Sequence, residues 1–141
     1  MIARPESEKN FMSKVVQDWI RKAEYDLETA DAMLNSGRFL YVLFMCQQAI
    51  EKILKAIYAQ QRKQIPPRTH NLPYLVDFLK LEVFEQDKVF IFELNQFYIG
   101  NRYPGKQSEL SGITTEDKAK VYLKRTQEVF QCLKKMLPLN K

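Results

Sequence analysis

Apolar residues recur at alternating steps of three and four over the first third of the chain, which is the spacing of one face of an α-helix. Ser13 is suited to the N-cap, and Ser36-Gly37 to the end, because glycine readily adopts the left-handed conformation in which many helices stop. The pattern predicts a first helix over residues 13–36, after a polar lead-in over residues 1–12. Its apolar positions are Val16, Ile20, Ala23, Leu27, Ala30 and Leu34.

The same spacing begins again at Phe39 and continues to the break at Pro66-Pro67. The first half of this second helix, residues 39–45, is apolar on every side. A helix of that kind has to be covered all round, and a domain of this size is expected to cover only part of it. The second helix therefore predicts a homodimer in which two copies pack through it.

Three more helices are predicted from caps and prolines. Asn71 or Thr69 is suited to cap a short helix with Pro73 in its first turn, and Thr114-Thr115 precedes acidic residues that favour the start of the last helix. Pro104-Gly105 is expected to end the helix before it, and the polar composition of residues 106–113 predicts a flexible segment. The predicted elements are a helix after Asn71, a helix over residues 85–101 and a helix after Thr115.

Composition places the chain among ordinary all-α proteins. It has 141 residues, 45% hydrophobic and 28% charged, with only four glycines and no alternating stretch typical of a strand. We predict an all-α fold, an antiparallel up-and-down bundle of four to five helices, in a single domain over residues 13–141. Since no run of about 18 apolar residues occurs and the start of the chain is charged, we expect a cytoplasmic protein without membrane contact.

The two cysteines, Cys46 and Cys132, stand in apolar helical stretches without a second cysteine or a histidine at ligand spacing. They are interpreted as core residues in a reducing compartment, and neither a metal nor a cofactor is predicted. The net charge of +5 and a pI near 9.2 favour an anionic partner such as a nucleotide or RNA. Many proteins without such a ligand are equally basic, so charge alone leaves both readings open.

Two polar residues, Asp26 and Gln47, share helical rows with apolar ones. Each needs hydrogen-bond partners, either as a structural contact between helices or as part of a polar pocket. Glu51 and Lys55 stand four apart, and this spacing predicts an ion pair on an exposed helix face.

Two further residues could carry chemistry. His70 is the only histidine, so acid–base work near neutral pH would fall on it or on a perturbed carboxylate, lysine or tyrosine, although a histidine next to a helix start is more often a capping or loop residue. Arg102 is followed by Tyr103-Pro104-Gly105-Lys106, which predicts a turn that exposes two cations beside an aromatic ring. Compensation of a helix dipole is the alternative role for Arg102. No phosphate-binding glycine loop or hydrolase motif is present.

Four segments together resemble HEPN domains: Ala23–Ala30, Phe44–Ala56, Thr69–Leu72 and Asn101–Pro104. The likeness extends over about residues 13–137, and its most specific part is the run from Gln47 to Ala56 combined with Arg102-Tyr103-Pro104. The resemblance implies a bundle of mainly antiparallel helices that is usually dimeric. It also implies a frequent association with a minimal nucleotidyltransferase, sometimes as the toxin of a toxin–antitoxin pair.

Ribonucleases of that family carry an arginine and a histidine separated by four to six residues. Arg102 matches this arginine, but Gln107, Ser108 and Glu109 occupy the positions where the histidine would stand. The leading hypothesis is therefore a HEPN-like dimer without ribonuclease activity that binds nucleotide or RNA phosphate and partners a minimal nucleotidyltransferase. The expected binding residues are Arg102, Tyr103, Lys106, His70 and Asp26. The alternatives are a metal-independent endoribonuclease that uses Arg102 with His70 and a non-catalytic protein-interaction module.

Overall fold

The computed structural model describes residues 6–98 and 104–137, and within those ranges it contains helices and no strand. This confirms the predicted all-α fold. A short 3-10 helix, Asn95–Phe97, follows the fourth α-helix. The α-helices are α1 (Glu6–Asn35), α2 (Phe39–Arg62), α3 (Leu72–Phe78), α4 (Glu85–Leu94), α5 (Pro104–Ile113) and α6 (Glu116–Lys134).

A tight connection at Gly37 turns the chain from α1 back along α2. Gly37 has a φ of +77°, the left-handed conformation expected from the sequence. Lys52 contacts Asp26. Lys55, further along α2, contacts Trp19, which lies earlier in α1. The two helices are therefore antiparallel.

The predicted start of α1 at Ser13 is wrong, because the helix already begins at Glu6. Met12 is buried and lies four residues before Val16, so the inward stripe extends one step further than the sequence pattern indicated. Most of the predicted polar lead-in, from Glu6 onward, is therefore helical.

Helix α2 occupies the centre of the bundle. It contacts α1, α3, α4, α5 and α6 of the same chain. Val42, Leu43 and Phe44, in its all-apolar first half, are almost completely buried without any second copy. Phe39 and Met45 in the same half are only partly buried, so burial within one chain does not replace the predicted contact with a second copy. Dimerisation itself stays a prediction.

The short helices differ from the prediction mainly where the chain approaches residue 100. Asn71 caps α3 as predicted, with its side chain accepting a hydrogen bond of 3.0 Å from the backbone N–H of Tyr74. Helix α4 ends at Leu94 instead of continuing to residue 101, and the chain tightens into the 3-10 helix. This change of geometry lets the Asn95 side chain accept a hydrogen bond of 2.9 Å from the N–H of Leu72. Residues 99–101 lie outside the described ranges.

The segment before α6 is helical rather than flexible. Pro104 begins α5, a position where its fixed φ favours a helix and its missing N–H costs nothing. Leu110 is buried, and this contact holds a mostly polar helix on the bundle. The sequence predicts that Pro104-Gly105 ends a helix, but in the structure it begins one. The cap of α6 is confirmed, because the Thr115 side chain accepts a hydrogen bond from the N–H of Lys118.

The two cysteines have different environments. Cys46 is buried, as predicted, but Cys132 is exposed on α6. The core residues next to it on α6 are Phe130 and Leu133, and Cys132 falls outside their rows. None of the described helices combines the length and the apolar character that spanning a membrane requires.

Candidate functional site

One face of α2 carries polar side chains into the interior. Gln47, Glu51 and Lys55 follow one another at steps of four and are 0%, 3% and 5% exposed. The ion pair that the sequence predicts between Glu51 and Lys55 exists. The prediction that it lies on an exposed face is wrong. Trp19 of α1 and the loop that carries His70 cover this face of α2.

The Glu51 carboxylate is the centre of this polar cluster. One oxygen accepts a hydrogen bond of 3.0 Å from Nζ of Lys55, and the other accepts one of 3.2 Å from Nε2 of Gln47. The Nδ1 atom of His70 lies 3.0 Å from the second oxygen. A buried carboxylate is tolerated only when its oxygens are paired in this way.

His70 is held on three sides and open on the remaining one. Its backbone carbonyl accepts a hydrogen bond of 3.4 Å from Gln47, and its ring stacks on Tyr98 at 4.1 Å with an angle of 17° between the planes. The side chain is nevertheless 43% exposed. An ionised carboxylate can only accept, so the hydrogen of the His70–Glu51 contact belongs to Nδ1. Nε2 has no partner among the residues that the structure describes.

The loop that carries His70 is fixed just after the histidine. Asn71 caps α3, and the next residue, Leu72, donates its N–H to Asn95. The 3-10 helix that contains Asn95 leads directly into Tyr98, the ring on which His70 stacks. The rings of His70 and Tyr98 are therefore both positioned by α3 and the 3-10 helix, which the hydrogen bond between Leu72 and Asn95 joins.

Asp26 lies on the neighbouring side of α2, within a second ion pair. Its carboxylate accepts a hydrogen bond of 2.5 Å from Nζ of Lys52 and is mostly buried. This contact agrees with the structural interpretation of Asp26 as a residue that pairs between helices, and its partner Lys52 directly follows Glu51 in the sequence. Gln47 likewise has the partners that its position on an apolar row required.

The remaining predicted site residues are not placed by the structure. Arg102 and Tyr103 lie outside the described residues. The backbone of Lys106 belongs to the first turn of α5, but its side chain is not described. The predicted turn over Tyr103–Lys106 is wrong from Pro104 onward, where the helix begins.

Sequence reasoning overlooked Glu51, Lys55 and Tyr98 as members of this site. A signal for Glu51 exists, because it follows Gln47 by four positions and the sequence pattern assigns Gln47 to a packed row. No such signal exists for Tyr98, whose stacking on His70 depends on the position of the 3-10 helix. In the described ranges no three His, Cys, Asp or Glu side chains are grouped as metal ligands would be.

Comparisons with known proteins agree with this architecture. A family model for the HEPN domain matches residues 16–136, whereas no curated protein matches the chain. The crystal structure of TT1696 from Thermus thermophilus is 25% identical, with a TM-score of 0.75 over 86% of this chain and 98% of that one. ST0689, an archaeal HEPN homologue, is 27% identical, with a TM-score of 0.66 over 86% and 96% of the two chains.

The family match begins in α1 and ends just after α6, so it includes the central helix with Glu51 and the loop with His70. It spans most of the chain, and the two solved structures share the helical bundle. The chain therefore belongs to the HEPN domain family.

Proposed function

We propose that this chain binds the phosphate groups of nucleotides or RNA at the exposed edge of His70. The observation that supports this proposal is the pairing of His70 Nδ1 with the buried Glu51 carboxylate. The pairing holds the ring in one orientation and leaves Nε2 for a ligand.

The charges around His70 suit an anion. Lys55 balances the charge of Glu51, and Lys52 balances the charge of Asp26. Neither carboxylate is therefore left unpaired to repel an anion at His70. When protonated, His70 donates from Nε2 to a phosphate oxygen, and such charge-assisted hydrogen bonds are the stronger kind.

Arg102, Tyr103 and Lys106 complete the proposed site. Arg102 follows Tyr98, the ring stacked on His70, by four positions in the sequence. Helix α5 begins at Pro104, so Lys106 belongs to a helix N-terminus, where free N–H groups and the dipole attract phosphate. Tyr103 would stack on a base, and Asp26 would keep Lys52 beside the site.

The binding proposal is tested with His70→Asn and Arg102→Ala. Asparagine keeps a donor near the position of Nδ1 for Glu51 but removes Nε2, so the internal contact is retained and the ligand contact is lost. We expect each change to weaken the binding of AMP and of a short RNA about 10-fold or more, as for the loss of a charged hydrogen bond. Calorimetric titration measures this, and circular dichroism checks the fold. Unchanged affinity in both variants would reject the site.

A second function is favoured by the same Glu51–His70 geometry. A carboxylate that orients Nδ1 of an imidazole is the arrangement in which Nε2 acts as a general base, here for the 2′-hydroxyl of RNA. Incubation with tRNA and mRNA in the presence of EDTA tests this metal-independent ribonuclease. Cleavage that disappears in His70→Asn supports it, and the absence of cleavage by the wild-type chain rejects it while leaving phosphate binding intact.

Assembly is the last part of the proposal. We infer a cytoplasmic homodimer that partners a minimal nucleotidyltransferase, because both features are common among HEPN proteins. Phe39 and Met45 in the first half of α2 are only partly buried, and the dimer would pack through this part of the helix. Sedimentation at micromolar concentration tests the dimer, and co-purification tests the partner. Co-purification without any nucleotide affinity would instead favour a pure protein-interaction module.

A further inference from the structure

Three aromatic rings stack where the end of α2 meets α3. Phe78 lies between two tyrosines, with its centroid 5.5 Å from Tyr58 at an interplanar angle of 16° and 5.6 Å from Tyr74 at 26°. The guanidinium of Arg62 lies 4.5 Å from the Phe78 centroid and donates to the Phe78 carbonyl at 3.3 Å. We call Tyr58, Phe78 and Tyr74 the aromatic ladder.

The ladder runs from the core to the surface. Tyr58 is 9% exposed, Phe78 is half-buried and Tyr74 is 44% exposed. Among the described residues no ring other than Phe78 and no cation packs on Tyr74. The inner rings hold α3 against α2, but that packing does not require an exposed tyrosine at the outer end. The Tyr74 ring is therefore available to a flat ligand.

Four exposed cations on the same part of the chain are here called the basic rim: Arg62, which contacts Phe78, Lys63 next to it, Arg68 in the loop before α3, and Lys80 two positions after Phe78. Lys63 and Lys80 both have positive φ angles, of 55° and 51°. Glycine or asparagine is the usual residue in that conformation, so the backbone alone does not account for two lysines. Of the acids nearby, Asp77 lies 3.7 Å from Lys88, and Glu82 is exposed beyond Lys80.

We propose that a single-stranded RNA bound at His70 continues over this surface, with a base stacked on Tyr74 and its phosphates on the basic rim. This inference rests on the proposed phosphate binding at His70. An exposed ring beside several cations is the arrangement by which proteins bind single strands without reading their sequence. Tyr74 follows His70 by four positions, and its N–H is held by the Asn71 cap between them, so one segment carries both residues.

A length series of RNA tests the proposal. Affinity is measured for AMP and for oligoadenylates of increasing length with the wild type and with Tyr74→Leu, which keeps an apolar contact to Phe78 but removes the ring. We expect the variant to lose about 5- to 100-fold in affinity for a long oligomer and nothing for AMP. Phe84→Leu is the matched control, because Phe84 is an exposed aromatic residue on the connection before α4. It is expected to bind both ligands as the wild type does.

The basic rim is tested by salt dependence. Asparagine suits a positive φ, so Lys63→Asn and Lys80→Asn remove charge without straining the backbone. Each change is expected to lower the slope of log affinity against log salt concentration by about 0.7, the contribution of one phosphate contact on a single strand. Lys120→Gln, on the exposed face of α6, is expected to leave the slope unchanged.

The outcomes separate this inference from the function on which it rests. If AMP binds in a His70-dependent way but long RNA binds no tighter, or Tyr74→Leu binds it normally, the extended surface is rejected and the His70 site stands. If neither AMP nor RNA binds the wild type, both proposals are rejected. A loss for long RNA in Phe84→Leu equal to that in Tyr74→Leu would also reject the assignment of Tyr74.

Discussion

Glu51 and Lys55 form an ion pair of 3.0 Å inside the bundle, where their side chains are 4% and 6% exposed. Glu116 and Lys120 form a pair with the same spacing on α6, at 2.7 Å, but those side chains are more than half exposed. The two pairs have the same chemistry in different surroundings. A difference in their energetic effect therefore reports burial together with the further contacts of Glu51 to Gln47 and His70.

Breaking the buried pair is expected to destabilise the protein strongly. Glu51→Gln leaves Lys55 buried without a counter-charge, and Lys55→Met leaves Glu51 with less compensation, so each should lower the free energy of unfolding by about 3 kcal/mol. The double variant should lose less than the sum of the two, by about 1 kcal/mol or more. The equivalent changes at Glu116 and Lys120 should stay within about 0.5 kcal/mol. Urea unfolding measures all six variants, and equal effects at both pairs would contradict the assignment.

The turn between α1 and α2 depends on the left-handed conformation of Gly37. An added Cβ would meet no atom within 4 Å, so the φ of +77° is the only obstacle to a side chain there. Gly37→Ala is expected to cost about 1 kcal/mol in the free energy of unfolding. Gly112 lies inside α5 with equally open surroundings and without a positive φ, so Gly112→Ala should be neutral or stabilising by up to about 1 kcal/mol. Thermal unfolding distinguishes the two, and the same sign for both would argue against backbone strain.

Burial makes stability sensitive to alkaline pH through Cys46. Desolvation raises the pKa of its thiol from 9.0 to about 12. Below pH 9 the thiol is protonated in both states. Between pH 9 and 12 the unfolded chain releases the proton while the folded chain keeps it, so the free energy of unfolding falls as pH rises, by about 1.4 kcal/mol per unit.

Cysteine variants isolate this effect from the titration of other groups. Between pH 8 and pH 10, under reducing conditions, the wild type should lose about 1.4 kcal/mol more than Cys46→Ala. Cys132→Ala should behave as the wild type, because that thiol is exposed. Urea unfolding at the two pH values gives the comparison. An identical pH dependence in the wild type and Cys46→Ala would show that the buried thiol does not contribute.

The Asn71 cap connects helix stability with the position of His70. Asn71→Ala removes the acceptor for the Tyr74 N–H and should lower the free energy of unfolding by about 1 kcal/mol. Because Asn71 directly follows His70, the change should also weaken phosphate binding. Thr115→Ala removes the matching cap of α6 and should cost a similar amount of stability without any effect on binding. Denaturation and AMP titration of both variants check this, and an equal loss of binding in both would point to global destabilisation.

Much of the fold was predictable because its signals are local. The stripe from Val16 to Leu34, the glycine after Ser36 and the caps at Asn71 and Thr115 act within one or two helical turns, and each appears where it was expected. The errors arose where weak local signals competed with packing. The polar segment after Lys106 looks like a loop by composition, but Pro104 and the buried Leu110 make it a helix.

By itself the sequence determined the helical class, the order of the main helices and the candidacy of His70, since these follow from residue types and from spacing along the chain. Only the tertiary structure decided that Glu51 and Lys55 are buried, that Glu51 pairs with His70 and that Tyr98 stacks on it. The physical reason is that a four-residue spacing brings two charges together on any helix, whereas their burial depends on which distant segments cover that face. Here Trp19 and the loop before α3 cover that face of α2. Trp19 precedes α2 in the sequence, whereas the loop follows it.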